Sequence, residues 1–189
     1  MGLRFTVLGL LSREPNTGYG LHRLLNGSLS HVWDARLQQV YAELGKLYDQ
    51  GLVTIEAFAM PRQPTKKVYT LTDSGENILD EWLTLRPATQ RLRDDLLVKI
   101  YCLERLSSGP AIRHLRERRA ASVEGLAHAR RTLEMTSRTD PGTLGDRLTL
   151  EASVFREEAE IAWCDRAIEM LHDEMSVEAR GRVADAAGA

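Results

Sequence analysis

The chain is poor in the features that announce most chemistries. Cysteine occurs twice, at 102 and 164, with no CxxC spacing, so no disulfide framework is indicated and a reducing, cytoplasmic setting is expected. No apolar run approaches the ~20 residues that a membrane-spanning helix needs. The N-terminal MGLRFTVLGLLSRE lacks a small-residue cleavage site, and a signal peptide is not expected. Motifs of the HExxH, GxSxG, GxxxxGKS and GxGxxG types are all missing, so no enzyme class is indicated. The five histidines are scattered, and no metal or cofactor is expected. The density of Glu157, Glu158 and Glu160 is read as a solvated helix face.

An excess of one charge is missing too. With 25 basic and 27 acidic residues the formal net charge is −2, which argues against a strongly basic nucleic-acid binder. The distribution is more informative than the sum. Residues 1–86 hold nine Lys/Arg and nine Asp/Glu, yet no acid occurs in 15–33, 35–42 or 57–72. Arg23, Arg36, Arg62, Lys66 and Lys67 lie inside those windows.

At 189 residues and 43% hydrophobic content the chain can bury a core in one or two domains. Leu3, Val7, Leu10 and Leu11 have helical spacing, broken at Glu14-Pro15. Thr17 is a suitable N-cap for a second helix to about Leu29. A third, about Ala35 to Gln50, carries Leu37, Val40, Tyr41, Leu44, Leu47 and Tyr48, and stops at Gly51. Asp34 takes its capping place. Val53, Ile55, Ala57 and Ala59 then alternate as a strand, Pro61 and Pro64 interrupt it, and Lys67–Leu71 resumes it. Thr72 caps a fourth helix whose buried face is Ile78, Leu79, Trp82 and Leu83.

Three helices, a hairpin and a helix give the winged helix-turn-helix order, so the expected fold is mainly α with a small β-hairpin wing. Residues 1–86 form the winged domain and 87–189 a helical domain. The latter should hold amphipathic helices at about 91–107, Pro110–Thr136 and 144–175, a loop at Asp140-Pro141-Gly142, and a frayed tail over the last seven residues. In the long helix Leu150, Val154, Glu157, Ile161, Cys164, Ile168, Leu171 and Met175 alternate steps of four and three. The winged domain cannot bury that seam alone, which points to a homodimer interface.

In a helix-turn-helix the third helix enters the major groove N-terminus first. Its leading polar residues, Arg36, Gln38 and Gln39, suit base edges: Arg pairs with guanine and Gln with adenine. Arg62, Lys66 and Lys67 at the wing tip suit phosphates. Tyr41 is read either as core or as a phosphate contact. Trp33 and Trp82 are read as core, and Cys102 and Cys164 as buried small apolar residues. Trp163 is interface packing, with ligand stacking as the alternative.

The segments VLGLLSREPNTGYGLHRLL, QQVYAELGKLYDQGLV and KKVYTLTDSGENILDEWL resemble the PadR-type transcriptional regulators. They bear an apolar first helix, a TGY turn, the Y-x-x-L-x-x-L-x-x-x-G-L-V recognition pattern and Y-x-L-T-x-x-G after the wing. RLRDDLLVKIYCLERL and EIAWCDRAIEML are similar to the helical C-terminal domain of one branch of that family. The resemblance implies a DNA-binding homodimer, often a repressor, sometimes released by a small aromatic or drug-like ligand. It further implies that Thr17 and Tyr19 are phosphate-side contacts, with Tyr41, Lys66 and Lys67 beside them. An inverted-repeat operator follows from the two-fold symmetry. A competing assignment is a helical adaptor that binds protein through its C-terminal half and uses the winged domain as scaffold.

Overall fold

The structure is a computed structural model describing residues 2–27, 29–30, 32–60, 63–87, 93–106, 108–139 and 144–187, with the side chains of 60, 63–64, 136–139 and 177–187 outside the description. Arg62 and the Asp140-Pro141-Gly142 segment lie outside the described residues. The chain divides into two compact units, Met1–Thr89 and Gln90–Ala189.

In the first unit, α1 (Gly2–Leu11) buries Val7, Leu8, Leu10 and Leu11, and Pro15 prevents its continuation. Next come β1 (Asn16–Thr17), α2 (Gly18–Asn26) and α3 (Leu37–Asp49). Thr17 is the N-cap of α2, its hydroxyl accepting from the Gly20 N–H at 2.9 Å. α2 stops at Asn26, three residues short of the expected end. Gly51, at φ 69°, turns the chain out of α3 in the left-handed region that a side chain resists. β2 (Val53–Met60) and β3 (Gln63–Leu71) pair antiparallel, and Thr72 caps α4 (Asp73–Thr84) by accepting from Gly75 N–H at 3.1 Å.

The sheet has three strands in the order β1-β3-β2, one more than the hairpin expected. The extra strand pairs Asn16 with Tyr69 and Thr17 with Val68. Leu21, Leu25, Val40, Leu44, Leu47 and Val53 form the centre of one apolar core. Truncating any of these leucines to alanine should cost about 2–5 kcal/mol.

Several expected core residues are outside it. Trp82 and Leu83 are exposed at the C-terminal end of α4; Trp82 instead stacks on Phe5, ring centroids 4.4 Å apart. Trp33 is more than one-third exposed, lying over the backbone of Gly2, and Tyr48 is exposed on α3. A helical period marks a face; it does not fix how wide a stripe the neighbouring elements cover.

The second unit is helical: α5 (Asp95–Tyr101), α6 (Leu103–Leu106), α7 (Ser108–Thr139) and α8 (Leu144–Ala187). The single helix expected over 91–107 is broken at Cys102, which is exposed and not buried as expected. α7 starts before Pro110, and α8 runs on through most of the tail expected to fray. α7 and α8 are antiparallel, clamped by Arg118–Glu160, Arg119–Asp165 and Arg130–Glu158 ion pairs. Glu158 and Glu160 therefore face α7 and are not merely a solvated face.

The seam on α8 is also covered within the chain. Leu150, Cys164 and Leu171 are buried, and Cys164 and Leu171 share a core with Leu96, Ile112 and Leu115. Assigning Leu150, Cys164 and Leu171 to a dimer interface is therefore corrected: helices of the same chain already cover them. Burial pushes the Cys164 thiol above its ordinary range. Trp163 is half-buried against the same core.

Candidate nucleic-acid interface

The sheet brings together segments far apart in sequence. β1 belongs to the TGY turn, and its register sets Thr17 opposite Val68, next to Lys67 on β3. The turn that starts α2 is thus stitched to the basic part of the wing. Thr17 uses its hydroxyl as a cap, so its side chain orders the turn. Tyr19, two residues on, is well exposed.

Tyr41 is exposed as well, so it is not a core residue. Its ring rests against the backbone of Gly18: a Cβ there would fall 2.5 Å from a ring carbon. Gly18 is therefore the seat that lets Tyr41 lie across the start of α2. Behind it Tyr69 is buried. Burial, reinforced by the neighbouring Tyr41, pushes the Tyr69 phenol above its ordinary value, so it stays neutral.

α3 presents Arg36, Gln38 and Gln39 to solvent at its N-terminal end, while Val40, Leu44 and Leu47 face the core. The first turn holds no acid. The N-cap is Arg36 rather than Asp34, because the chain stays extended to 36. The cap bond comes from within the helix: the Arg36 N–H donates to Gln39 Oε1 at 2.8 Å. This is the Gln half of a capping box. Gln38 and Gln39, alike in sequence, thus differ in employment. Gln39 secures the helix start, and Gln38 has its whole amide free of such a bond among the described residues.

On the wing Lys66 and Lys67 are exposed and take part in no ion pair among the described residues. The β-ladder sets Lys66 opposite Phe58 and Lys67 opposite Ala57. Their cations project on alternate faces of β3, a geometry suited to straddling a phosphate ridge.

Sequence reasoning missed two features. A two-residue strand leaves no periodic signal, and the capping role of Gln39 depends on side-chain direction. Its one hint was a Gln three residues after the N-cap.

A helix with an acid-free N-terminal end, a turn tied to the wing and two wing lysines with no ion-pair partner among the described residues define a winged helix-turn-helix protein of the DNA-binding class. Comparison with known proteins narrows the class. Residues 7–81 match the model of the "Transcriptional regulator PadR-like family", and residues 92–172 match "Virulence activator alpha C-term". The chain thus carries a PadR-like transcriptional-regulator domain followed by a helical C-terminal extension of the virulence-activator type.

The negative transcriptional regulator PadR of Bacillus subtilis strain 168 is 29% identical over 177 residues, spanning 89% of this chain and 97% of that one. Its crystal structure in complex with operator DNA superposes with a TM-score of 0.79 at 27% identity, covering 90% of this chain and 99% of that one. The same protein in complex with p-coumaric acid gives 0.72, again at 27% identity, with 90% and 98% covered. The Vibrio cholerae virulence activator AphA gives 0.73 at 28% identity, with 92% and 99% covered.

Proposed function

We propose that this chain is a homodimeric, cytoplasmic transcriptional repressor that binds an inverted-repeat operator and is released by a small aromatic or drug-like ligand. The observation that carries the reading is the acid-free, exposed end of α3, with Arg36 and Gln38 presented outward and Gln39 holding the helix start. Arg36 and Gln38 would contact base edges. Thr17, Tyr19, Tyr41, Arg62, Lys66 and Lys67 would order and hold the phosphate backbone.

Repression is favoured over activation by the negative regulator that the chain resembles along nearly its whole length. Release by a ligand is favoured by the p-coumaric acid complex of that relative. The helical domain supplies the second copy. Its covered seam leaves Val154, Ile161, Ile168 and Met175 partly or fully accessible, and α8 also exposes a second row that includes Leu148 and Phe155. That outer row answers the need for a partner better than the buried seam does.

Selection of duplexes from a random-sequence library by the purified protein tests the reading. The enriched sequence should be an inverted repeat with half-site centres about one helical turn apart, roughly 10 bp. Sedimentation at micromolar concentration should give a dimer. An unenriched library, with no retardation at low salt, would leave the helical adaptor as the better assignment.

A further inference from the structure

The fold explains the large side chains on the core face of the wing but not one on its outer face. Strand alternation puts the Val53/Leu71 and Ile55/Tyr69 rungs toward the core. The outer rungs are Thr54/Thr70, Glu56/Val68 and Phe58/Lys66. Phe58 is 43% exposed, belongs to neither apolar core and stacks on no other ring among the described residues. Folding thus gives no reason for an aromatic there, and a bare ring carries a hydration penalty.

Two further observations say what could cover it. Lys66 stands directly opposite on the same face, a cation with no ion-pair partner among the described residues. The ladder is also irregular between Phe58 and Met60, and such bulges bend a strand and re-aim its side chains. An apolar ring beside an exposed ammonium, on a strand whose ladder is irregular just beyond it, matches one kind of surface well. The edge of a duplex minor groove offers apolar deoxyribose faces directly beside phosphates.

We infer that Phe58 and Lys66 act together as the wing's contact with operator DNA, the Phe58 ring packing on the deoxyribose wall of the minor groove while Lys66 pairs with the adjoining phosphate. The inference rests on the DNA-binding reading above. The division of labour has a thermodynamic signature. The lysine contributes through counterion release, so its share varies with salt; the ring contributes through apolar burial, so its share does not.

The test compares Phe58→Ser, Phe58→Leu and Lys66→Ala with the full-length wild type, using the duplex that wild type enriches and a scrambled duplex of equal length. Phe58→Ser should bind the enriched duplex about tenfold more weakly, with a line of log affinity against log salt parallel to wild type. Phe58→Leu should fall between the two. Lys66→Ala should give a shallower line. All three should melt with wild type, since neither side chain belongs to the core. Phe58→Ser binding as tightly as wild type overturns the inference, and so does a change in its sedimentation without a change in affinity, which would assign the ring to protein contacts. A wild type that retards neither duplex overturns the DNA-binding reading itself, a result distinct from a wild type that binds and a variant that matches it.

Discussion

The Asp94 carboxylate grips the Arg118 guanidinium through two hydrogen bonds of 2.8 and 3.0 Å, joining the start of α5 to the middle of α7. The same carboxylate caps α5, Oδ1 accepting from Leu96 N–H at 2.9 Å, and Arg118 reaches on to Glu160 of α8 at 2.9 Å. One guanidinium and two carboxylates thus tie three helices of the C-terminal unit together. The hydrogen bond from Arg118 holds the Asp94 carboxyl below its usual range.

A depressed carboxylate stabilises the folded state fully above its unfolded value of about 3.9, and that contribution is lost as pH falls through the lower folded value. Asp94→Asn keeps a capping side chain but removes the charge. It should destabilise the C-terminal helices by about 1–2 kcal/mol at pH 7, allowing for the partial exposure of the pair. Urea unfolding of both proteins across pH checks this: the gap should narrow as pH falls below the unfolded value of about 3.9 and through the lower folded one. A gap constant with pH would mean that lost packing, not the ion pair, is responsible.

The wing lysines should act through counterions. Each phosphate contact removed lowers the magnitude of the salt slope by about 0.9. Lys66→Ala with Lys67→Ala should therefore flatten the slope by nearly two and weaken specific and scrambled duplexes alike. Titration at several salt concentrations measures it, and an unchanged slope would remove these lysines from the interface.

Gln38 and Gln39 should separate on substitution. Gln39→Ala deletes the acceptor for the Arg36 N–H and should lower stability by about 0.5–1 kcal/mol, weakening all operators without altering base preference. Gln38→Ala should leave the melting temperature alone and relax preference at one base pair per half-site, a loss of about 1–3 kcal/mol there. Library selection with each variant decides it. A changed base preference for Gln39→Ala would show that its amide reads sequence.

The division between Gln38 and Gln39 illustrates what a sequence conveys. The caps at Thr17 and Thr72, the stop at Gly51 and the element order were legible, because each follows from local chemistry with a fixed offset. The site was legible as residue types in acid-free windows, but its assembly was not. The Thr17–Val68 pairing joins residues fifty-one positions apart through a strand too short to leave a period. The break at Cys102 has neither glycine nor proline to announce it. The α8 heptads showed that a partner helix must exist, but a heptad cannot state whether that helix is in another chain. It is α7, and the ion pairs from Arg118, Arg119 and Arg130 hold it there.

Gly18 offers a way to disturb the interface while sparing the core. A Cβ at 18 would lie 2.5 Å from the Tyr41 ring, so ring or backbone must move. The ring is the softer of the two, since Tyr41 is exposed and can swing toward solvent. Alanine also favours α2 relative to glycine by roughly 1 kcal/mol, offsetting the residual strain. Gly18→Ala should therefore leave the melting temperature within a few degrees of wild type while weakening operator binding about as much as Tyr41→Ala does. The double variant should bind no worse than either single one, because both remove the same placed ring. Additive losses in that cycle would mean that the backbone at Gly18 approaches the DNA itself, independently of Tyr41.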